Sequence, residues 1–465
     1  MEEFGLSNKT VWSDCLQSLL NQAIQRSLRL EEKIRELHSA RYASEAPSFL
    51  MKLLSDLNGE LLNGLKSICE TTSSIEKVDE ITYTTQSKEI RSYCQALADL
   101  YSYISLVESS QAGKNLTSIS VSIARLSNEL VPNNVTLVCP VYSCNYCYFD
   151  ILLWLKKVVE RFFSETKLSG YPKYFAFFGF PHVIRDDILC HSLLGHELGH
   201  FVGTEHNIFQ DALKDVPLSS LTANLTASLT AIPLTLLDLQ KIFEEYVCDI
   251  VSVYLFGLAP LFTLIEFGTS VINLTDLALP HPPLSLRVSN ILTTLEHYGY
   301  KDFFSKNGEN AIANTMLSTL QNLGVLVSET QEMIEPLAMD ILHCLEIPLK
   351  KARELIESRI DKRFQLKLDK HIFECVKLIE EGVPPSSILN SKLDSDQCQP
   401  TELGFILNAG WFYRIMYLQN TKPISLPLQE CEHAKQLKDL CRLIDKAVEQ
   451  SETIYWYNKR GEEVS

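Results

Sequence analysis

Apolar residues recur at every third or fourth position through most of the first 130 residues, with charged residues between them. In the clearest stretch they are Leu16, Leu19, Leu20, Ala23, Ile24, Leu28, Ile34 and Leu37. Similar patterns run from about Pro47 to Cys69 and from about Ser87 to Val107. Because an α-helix has about 3.6 residues per turn, this spacing places the apolar side chains on one face. It predicts a helical N-terminal region over residues 1–131.

The pattern changes after Val131. The segment VTLVCPVY at 135–142 is rich in β-formers but contains Pro140, which favours an edge strand or an extended segment. The segment YFAFFGF at 174–180 predicts a short strand, and the pattern at 149–163 predicts an amphipathic helix. Helical patterns then dominate to about residue 300 and from about 310 to the end, with breaks at 382–385 and 394–400. The predicted fold class is therefore mainly α, with a central region over 132–300 and a C-terminal helical region over 301–465.

One apolar run, IVSVYLFGLAPLFTLIEF at 250–267, resembles a membrane span in composition. A spanning helix needs about 20 apolar residues, and this run is shorter and contains Gly257 and Pro260. We expect a buried core helix that breaks at Pro260 and no insertion into a membrane.

The amino-acid composition argues against some classes of binding partner. The chain has 465 residues, with 42 Lys and Arg against 58 Asp and Glu, which gives a net charge of −16. Proteins that bind nucleic acid or anionic lipid need clustered basic residues, so this charge argues against both classes. The first residues lack a basic and apolar leader, and thirteen cysteines show no framework spacing. Both observations indicate reduced thiols and a cytoplasmic protein.

The segment HSLLGHELGHFVGTEH at 191–206 carries the candidate chemistry. His196, Glu197 and His200 form an H-E-x-x-H pattern. Residues four apart on a helix point in nearly the same direction, so the two imidazoles suit two ligands of one tetrahedral zinc. Glu197 lies beside that face and is placed to accept a proton from an attacking water. The alternative is a helix with two surface histidines.

A catalytic zinc needs a third protein ligand, and the sequence offers two candidates. His206 completes HELGHFVGTEH, which matches the metzincin pattern H-E-x-x-H-x-x-G-x-x-H. Glu245 begins an E-x-x-x-D pattern that ends at Asp249, and one helical turn separates these two carboxylates. In the second case Glu245 binds zinc while Asp249 accepts a hydrogen bond from a zinc-binding histidine.

Two further features favour Glu245. Metzincins place a methionine turn under the metal, and this chain has no methionine between Met51 and Met316. The segment HPPLSLR at 281–287 follows the E-x-x-x-D pattern and contains H-P-P-x-x-x-R. The three motifs in this order resemble the gluzincin zinc peptidases, in particular the CAAX prenyl endopeptidase-type family and its soluble bacterial relatives. The resemblance covers about residues 186–299.

The resemblance implies roles for the last motif. Arg287 would pair with Asp249, and His281 would stabilise the oxyanion formed during hydrolysis. A turn histidine before a proline-capped helix is the alternative reading of His281.

The sequence thus predicts a gluzincin-like zinc peptidase domain with Zn²⁺ held by His196, His200 and Glu245. Its partner would be a peptide or protein substrate, for which segment 174–180 would serve as an edge strand by β-augmentation. A metzincin-type peptidase that uses His206 stays open, as does a non-catalytic helical metal-binding scaffold.

Overall fold

A computed structural model describes most of the chain. It covers residues 3–73, 78–112, 117–143, 145–162, 171–214, 216, 235–271, 281–330, 336–388, 399–418 and 427–464. The described residues are mainly helical, as the sequence predicted. The predicted break at 394–400 lies outside these residues except for its last two positions.

The chain forms two compact units. The first consists of Met1–Asn115, Asn133–Val141 and Phe149–Phe177, and the second of Leu116–Pro132, Tyr142–Tyr148 and Phe178–Ser465. The helices of the first unit are α1 (Glu3–His38), α2 (Ala46–Ser73), α3 (Glu80–Ser102), α4 (Ile104–Ser109) and α6 (Ile151–Phe162). Helices α1, α2 and α3 pack against one another through leucines at the predicted apolar positions, including Leu16 and Leu20. Inside this packing, the Ser27 hydroxyl donates to the side chain of Asn58.

A three-stranded sheet is formed by β1 (Asn134–Val141), β2 (Cys147–Asp150) and β3 (Tyr174–Pro181), in the order β1-β3-β2. The predicted strand at 174–180 therefore exists, but it is the central strand, so its prediction as an edge strand was wrong. The physical reason is that Phe175, Phe177, Phe178 and Phe180 are all fully buried. A continuous apolar run covered on both faces is typical of an inner strand.

The second unit contains the other described helices, including those that position the candidate site. They are α5 (Thr117–Leu130), α7 (Leu194–Glu205), α8 (Ile208–Leu213), α9 (Leu236–Phe256), α10 (Ala259–Val271), α11 (Leu284–His297), α12 (Tyr300–Lys306), α13 (Ala311–Thr330), α14 (Pro336–Arg359), α15 (His371–Glu380), α16 (Leu403–Tyr413) and α17 (Pro427–Val464). A two-residue pairing of β4 (Ser387–Ile388) with β5 (Gln399–Pro400) lies between α15 and α16.

The apolar run at 250–267 is buried from Ile250 to Leu264 in this unit, where it forms the end of α9 and the start of α10. Helix α9 ends at Gly257, which has φ +63°, so the break precedes Pro260 by three residues. Pro260 lies in the first turn of α10, where its missing N–H has no helical partner to lose. No described helix is long and apolar enough to cross a membrane.

Candidate metal centre

Helix α7 holds the H-E-x-x-H pattern. A buried 3₁₀ segment, Ile188–Leu193, leads into it. The side chain of His196 is 8 % exposed and that of His200 is 24 % exposed, while Glu197 is buried. The alternative of two surface histidines therefore does not describe this helix.

Three glycines at four-residue spacing give α7 a face without side chains. A Cβ added to Gly199 would lie 2.7 Å from the Cα of Cys248, and one added to Gly195 would lie 2.6 Å from Phe256. Gly203 faces Phe209 in the same way. Since Cys248 and Phe256 belong to α9, Gly199 allows the backbones of α7 and α9 to meet and Gly195 makes room for the Phe256 ring. The glycine spacing was visible in the sequence, but its partner helix was not.

Helix α9 brings two carboxylates to the histidines. It begins with a capping box, in which Thr235 and Asp238 satisfy each other's backbone N–H groups. Two turns later Glu245 is buried, with its Oε2 atom 3.3 Å from the Nε2 atom of His196 and its Oε1 atom 3.5 Å from the Nε2 atom of His200. The structure thus brings the predicted ligand atoms of all three side chains together.

These distances allow a test of whether the three residues fit zinc. A tetrahedral zinc with bonds of about 2.1 Å places neighbouring ligand atoms about 3.4 Å apart. The two nitrogen–oxygen separations, 3.3 and 3.5 Å, are close to that value, and they run to the two different oxygens of the Glu245 carboxylate. Both histidines present Nε2 to the carboxylate, and neutral imidazole and carboxylate are ordinary zinc ligands. The donor set therefore fits the ion that the sequence predicts.

Asp249 orients the first histidine. Its Oδ1 atom lies 2.8 Å from the Nδ1 atom of His196, which fixes the ring with Nε2 toward Glu245. Arg287 donates to both oxygens of the same carboxylate, from Nε at 2.9 Å and from Nη2 at 2.6 Å. Arg287 Nη2 lies 3.0 Å from His196 Nδ1 because both nitrogens share Oδ1. The pairing of Arg287 with Asp249 is the one that the sequence motif implied.

The start of α11 explains how Arg287 reaches this position. Pro283 is the residue before the helix and Leu284 is its first residue, so Arg287 lies in the first turn. The side chain of Asn290, one turn later, donates to the backbone carbonyl of Tyr246 at 3.0 Å. These contacts fix α11 against α9 beside the two carboxylates.

The electrostatics of the centre favour a cation. Glu197, Glu245 and Asp249 are buried together with one guanidinium, that of Arg287. Burial and the charge of Arg287 oppose protonation of His196, but hydrogen bonds to Asp249 and Glu245 outweigh them and raise its pKa to about 9. Burial alone would raise the pKa of Glu245, yet His196, His281 and Arg287 hold it well below its ordinary value. A metal that binds Nε2 of His196 would have to displace this proton, so binding would release it.

Burial shifts the pKa values of Glu197 and His200 in opposite directions. Burial, helped by the charge of Glu245, raises the pKa of the Glu197 carboxyl to about 7. Burial and the charge of His196 lower the pKa of His200 to about 4, so its ring is neutral at physiological pH. A pKa near 7 suits the carboxyl of Glu197 to a general base, and the neutral ring of His200 is the form that binds a metal.

His281 lies at the open side of the centre. Its Nδ1 atom is 3.1 Å from the Oε2 atom of Glu245, and its side chain is 45 % exposed. It therefore lies beside the predicted ligands and is accessible from solvent.

His206 has other contacts. Its Nε2 atom lies 3.1 Å from the backbone carbonyl of Leu130, and its own carbonyl accepts from Arg359. Within the part of the chain that the structure describes, the ligand-capable groups gathered around His196 and His200 do not include His206. In this arrangement His206, which a metzincin site would need as a ligand, instead contacts Leu130 at the end of α5.

Cys248 is a group near the histidines that the sequence did not single out. Its sulfur lies within 4.8 Å of ligand nitrogens of both His196 and His200. Glu245 stays the predicted third ligand, because one of its carboxylate oxygens lies 3.3 Å from the Nε2 atom of His196 and the other 3.5 Å from that of His200. The Cα of Cys248 packs against Gly199, and burial beside the acidic groups raises the pKa of its thiol well above the ordinary value.

Comparison of the chain with protein-family profiles, with curated proteins and with solved structures gives no match. The interpretation of the centre therefore rests on its own geometry and on the three sequence motifs.

Proposed function

We propose that this protein is a zinc-dependent peptidase of the gluzincin type, with a peptide or protein as its substrate. His196, His200 and Glu245 would hold the ion, and Asp249 and Arg287 would orient them. The observation that carries the proposal is the meeting of the Glu245 carboxylate with both Nε2 atoms at 3.3 and 3.5 Å.

Zinc, when bound, supplies a Lewis acid that polarises a scissile carbonyl and acidifies a water. The protein's own groups do the proton transfer. Glu197 accepts the proton of the attacking water and then delivers it to the leaving amine. A carboxyl whose pKa is about 7 suits both steps, because it can be charged before attack and neutral after it. His281, half-exposed at the open side, is placed to stabilise the developing oxyanion.

The number of ligands and the burial of Glu197 favour this proposal over a non-catalytic metal-binding scaffold. A structural zinc is closed by four protein ligands, whereas a catalytic zinc keeps one position for water or substrate. In the proposed site three side chains bind the ion, the buried Cys248 is left as a packing residue, and a buried acid, Glu197, follows His196 in sequence. A structural site has no use for Glu197 as a buried carboxylic acid.

The proposal is tested with Glu197→Gln and a matched control, Glu244→Gln, which removes a carboxylate of α9 outside the centre. Both proteins are incubated with denatured protein and with a peptide mixture, and new peptide termini are counted by mass spectrometry. We expect Glu197→Gln to lose cleavage while keeping its zinc, since an amide cannot accept the proton. Glu244→Gln should cleave as the unmodified protein does. Cleavage by Glu197→Gln at the unmodified rate would contradict the role, and loss of its zinc would show that Glu197 is a ligand.

A further inference from the structure

Asn290 is a buried polar residue in the middle of α11, and it is 5 % exposed. Asparagine is a poor residue for a helix interior, and a buried amide without hydrogen bonds costs free energy. Both ends of this amide nevertheless have partners, and the two partners lie on other helices. One is the Tyr246 carbonyl of α9 and the other is the Arg353 guanidinium of α14. The side chain of Asn290 therefore connects three helices.

The bond to α9 lies next to the predicted metal ligands. The Nδ2 atom of Asn290 donates to the Tyr246 carbonyl at 3.0 Å, and Tyr246 directly follows Glu245 in the sequence. On α11, Arg287, which donates to Asp249, precedes Asn290 by three residues. A hydrogen bond is lost beyond about 3.5 Å, whereas a slip of one residue along a helix moves the chain by about 1.5 Å. The bond therefore fixes α11 along α9 at the position where Arg287 reaches Asp249.

Arg353 determines which way the amide points. Its Nη2 atom donates to the Oδ1 atom of Asn290 at 3.4 Å. A reversed amide would turn its NH₂ group toward the guanidinium and its oxygen toward the Tyr246 carbonyl, which would oppose donor to donor and acceptor to acceptor. The Nε atom of Arg353 is buried and has no hydrogen-bond partner among the described residues. The contact with Asn290 is thus a hydrogen bond that this half-buried guanidinium needs.

Helix α14 lies beyond the segment 186–299 that contains the three motifs, in the predicted C-terminal region. Its last residue, Arg359, donates to the carbonyl of His206 at the end of α7 and pairs with Asp211 at 2.6 Å. Helix α14 therefore contacts the end of the helix that carries the two histidines as well as the helix that carries Arg287.

We propose that Asn290 is a positioning residue of the metal centre and that Arg353 of α14 orients it. Asn290 acts on Glu245 through the backbone of α9 and on Arg287 through α11. The C-terminal region thereby contributes to the affinity of the centre for zinc. The proposal rests on the zinc-binding function proposed above.

Zinc affinity of the full chain, measured by competition with a chelator, tests the proposal in Asn290→Leu. Leucine has a similar volume but neither donates nor accepts, and we expect affinity to fall about 10-fold, the lower end of the loss seen for outer partners of metal ligands. Ile291→Val is the control, because it removes a methyl group from the next residue of α11, which is 1 % exposed. The control should keep its affinity even where its stability falls.

Two further measurements separate positioning from general destabilisation. The visible absorption of bound cobalt reports ligand geometry, and it should change in Asn290→Leu and not in Ile291→Val. Arg353→Met should weaken zinc binding by a smaller factor, and because Arg353 is only half-buried this variant decides the question if Asn290→Leu does not fold. Unchanged zinc affinity and cobalt absorption in the folded variants, or the same changes in Ile291→Val, would overturn the proposal.

A double-mutant cycle in the metal-free protein tests the position of Arg287 without zinc. If Asn290 holds Arg287 at Asp249, Asp249→Ala should cost less unfolding free energy in Asn290→Leu than in the unmodified protein. Equal costs in the two backgrounds would overturn the proposal. Failure of the unmodified protein to bind zinc would contradict the proposed function instead, and the cycle would still decide whether Asn290 positions Arg287.

Discussion

Gly199 and Cys248 meet where helices α7 and α9 pack backbone against backbone. A Cβ at position 199 would lie 2.7 Å from the Cα of Cys248 and 3.0 Å from its carbonyl oxygen. Backbone atoms in a helix cannot move aside as the end of a flexible side chain can. The separation between His196 and Glu245 therefore depends on the absence of a side chain at position 199.

Replacing Gly199 with alanine should separate α7 from α9. We expect unfolding free energy to fall by about 1–3 kcal/mol, as overpacked cores lose, and zinc affinity to fall with it, because Glu245 moves away from the histidines. Urea unfolding and competition with a zinc chelator measure the two effects. Gly324→Ala is the control, since a Cβ there meets nothing within 4 Å. Equal behaviour of the two variants would show that the helices have room at position 199.

Asp249 should affect zinc affinity and stability in separable ways. Asp249→Ala removes an orienting hydrogen bond, so we expect a roughly 10–100-fold loss of zinc affinity with zinc still detectable. It also leaves Arg287, at 4 % exposure, with only the longer ion pair to Glu245 at 3.7 Å, which should cost about 3 kcal/mol of stability.

The double variant Asp249→Ala/Arg287→Met separates the two effects of Asp249. It should recover part of the stability measured by urea unfolding of the metal-free protein, because the guanidinium that has lost its main partner is no longer buried. It should not recover zinc affinity. A double variant less stable than Asp249→Ala would show that Arg287 stabilises the fold independently of Asp249.

His191 should make stability depend on pH. Burial lowers the pKa of its ring below the ordinary 6.5, although a hydrogen bond to the Arg185 carbonyl and the charges of Asp187 and Asp186 oppose the shift. Below pH 6.5 the unfolded chain therefore binds this proton before the folded one does, and stability falls as the pH falls. We expect His191→Gln to lose less unfolding free energy than the unmodified protein between about pH 8 and pH 5. The same pH dependence in His191→Gln and in the control His343→Gln, which changes an exposed histidine, would contradict this account.

Periodicity was enough to predict the mainly helical fold and the helix that carries His196 and His200. It also placed Pro283 and Arg287 at the start of a helix, because proline and the apolar spacing that follows it are local signals. The position of β3 within the sheet was not predictable in this way. Whether a strand lies at an edge depends on which distant segments pair with it, and those pairings leave no local pattern.

Two further features could not be predicted from local sequence patterns, because each depends on residues that are distant in the chain. The approach of Gly199 to Cys248 joins residues on separate helices, so the glycine spacing alone indicated no partner. The sequence predicted the helix break at Pro260, but in the structure it lies at Gly257. The positive φ of Gly257 is stabilised by contacts from α16, which local patterns do not indicate. The side chain of Asn408 accepts from the N–H groups of Leu258 and Ala259 and donates to the Phe256 carbonyl.

The third zinc ligand is the central claim, and the most direct test compares Glu245→Ala with His206→Ala. Both are loaded with zinc, dialysed side by side against a chelator with the unmodified protein, and analysed for zinc by mass spectrometry. We expect Glu245→Ala to lose one equivalent of zinc relative to the unmodified protein, because its carboxylate meets both Nε2 atoms. His206→Ala should keep its zinc, because that ring contacts the Leu130 carbonyl. Loss of zinc from His206→Ala and its retention by Glu245→Ala would contradict the account and favour a metzincin-type site.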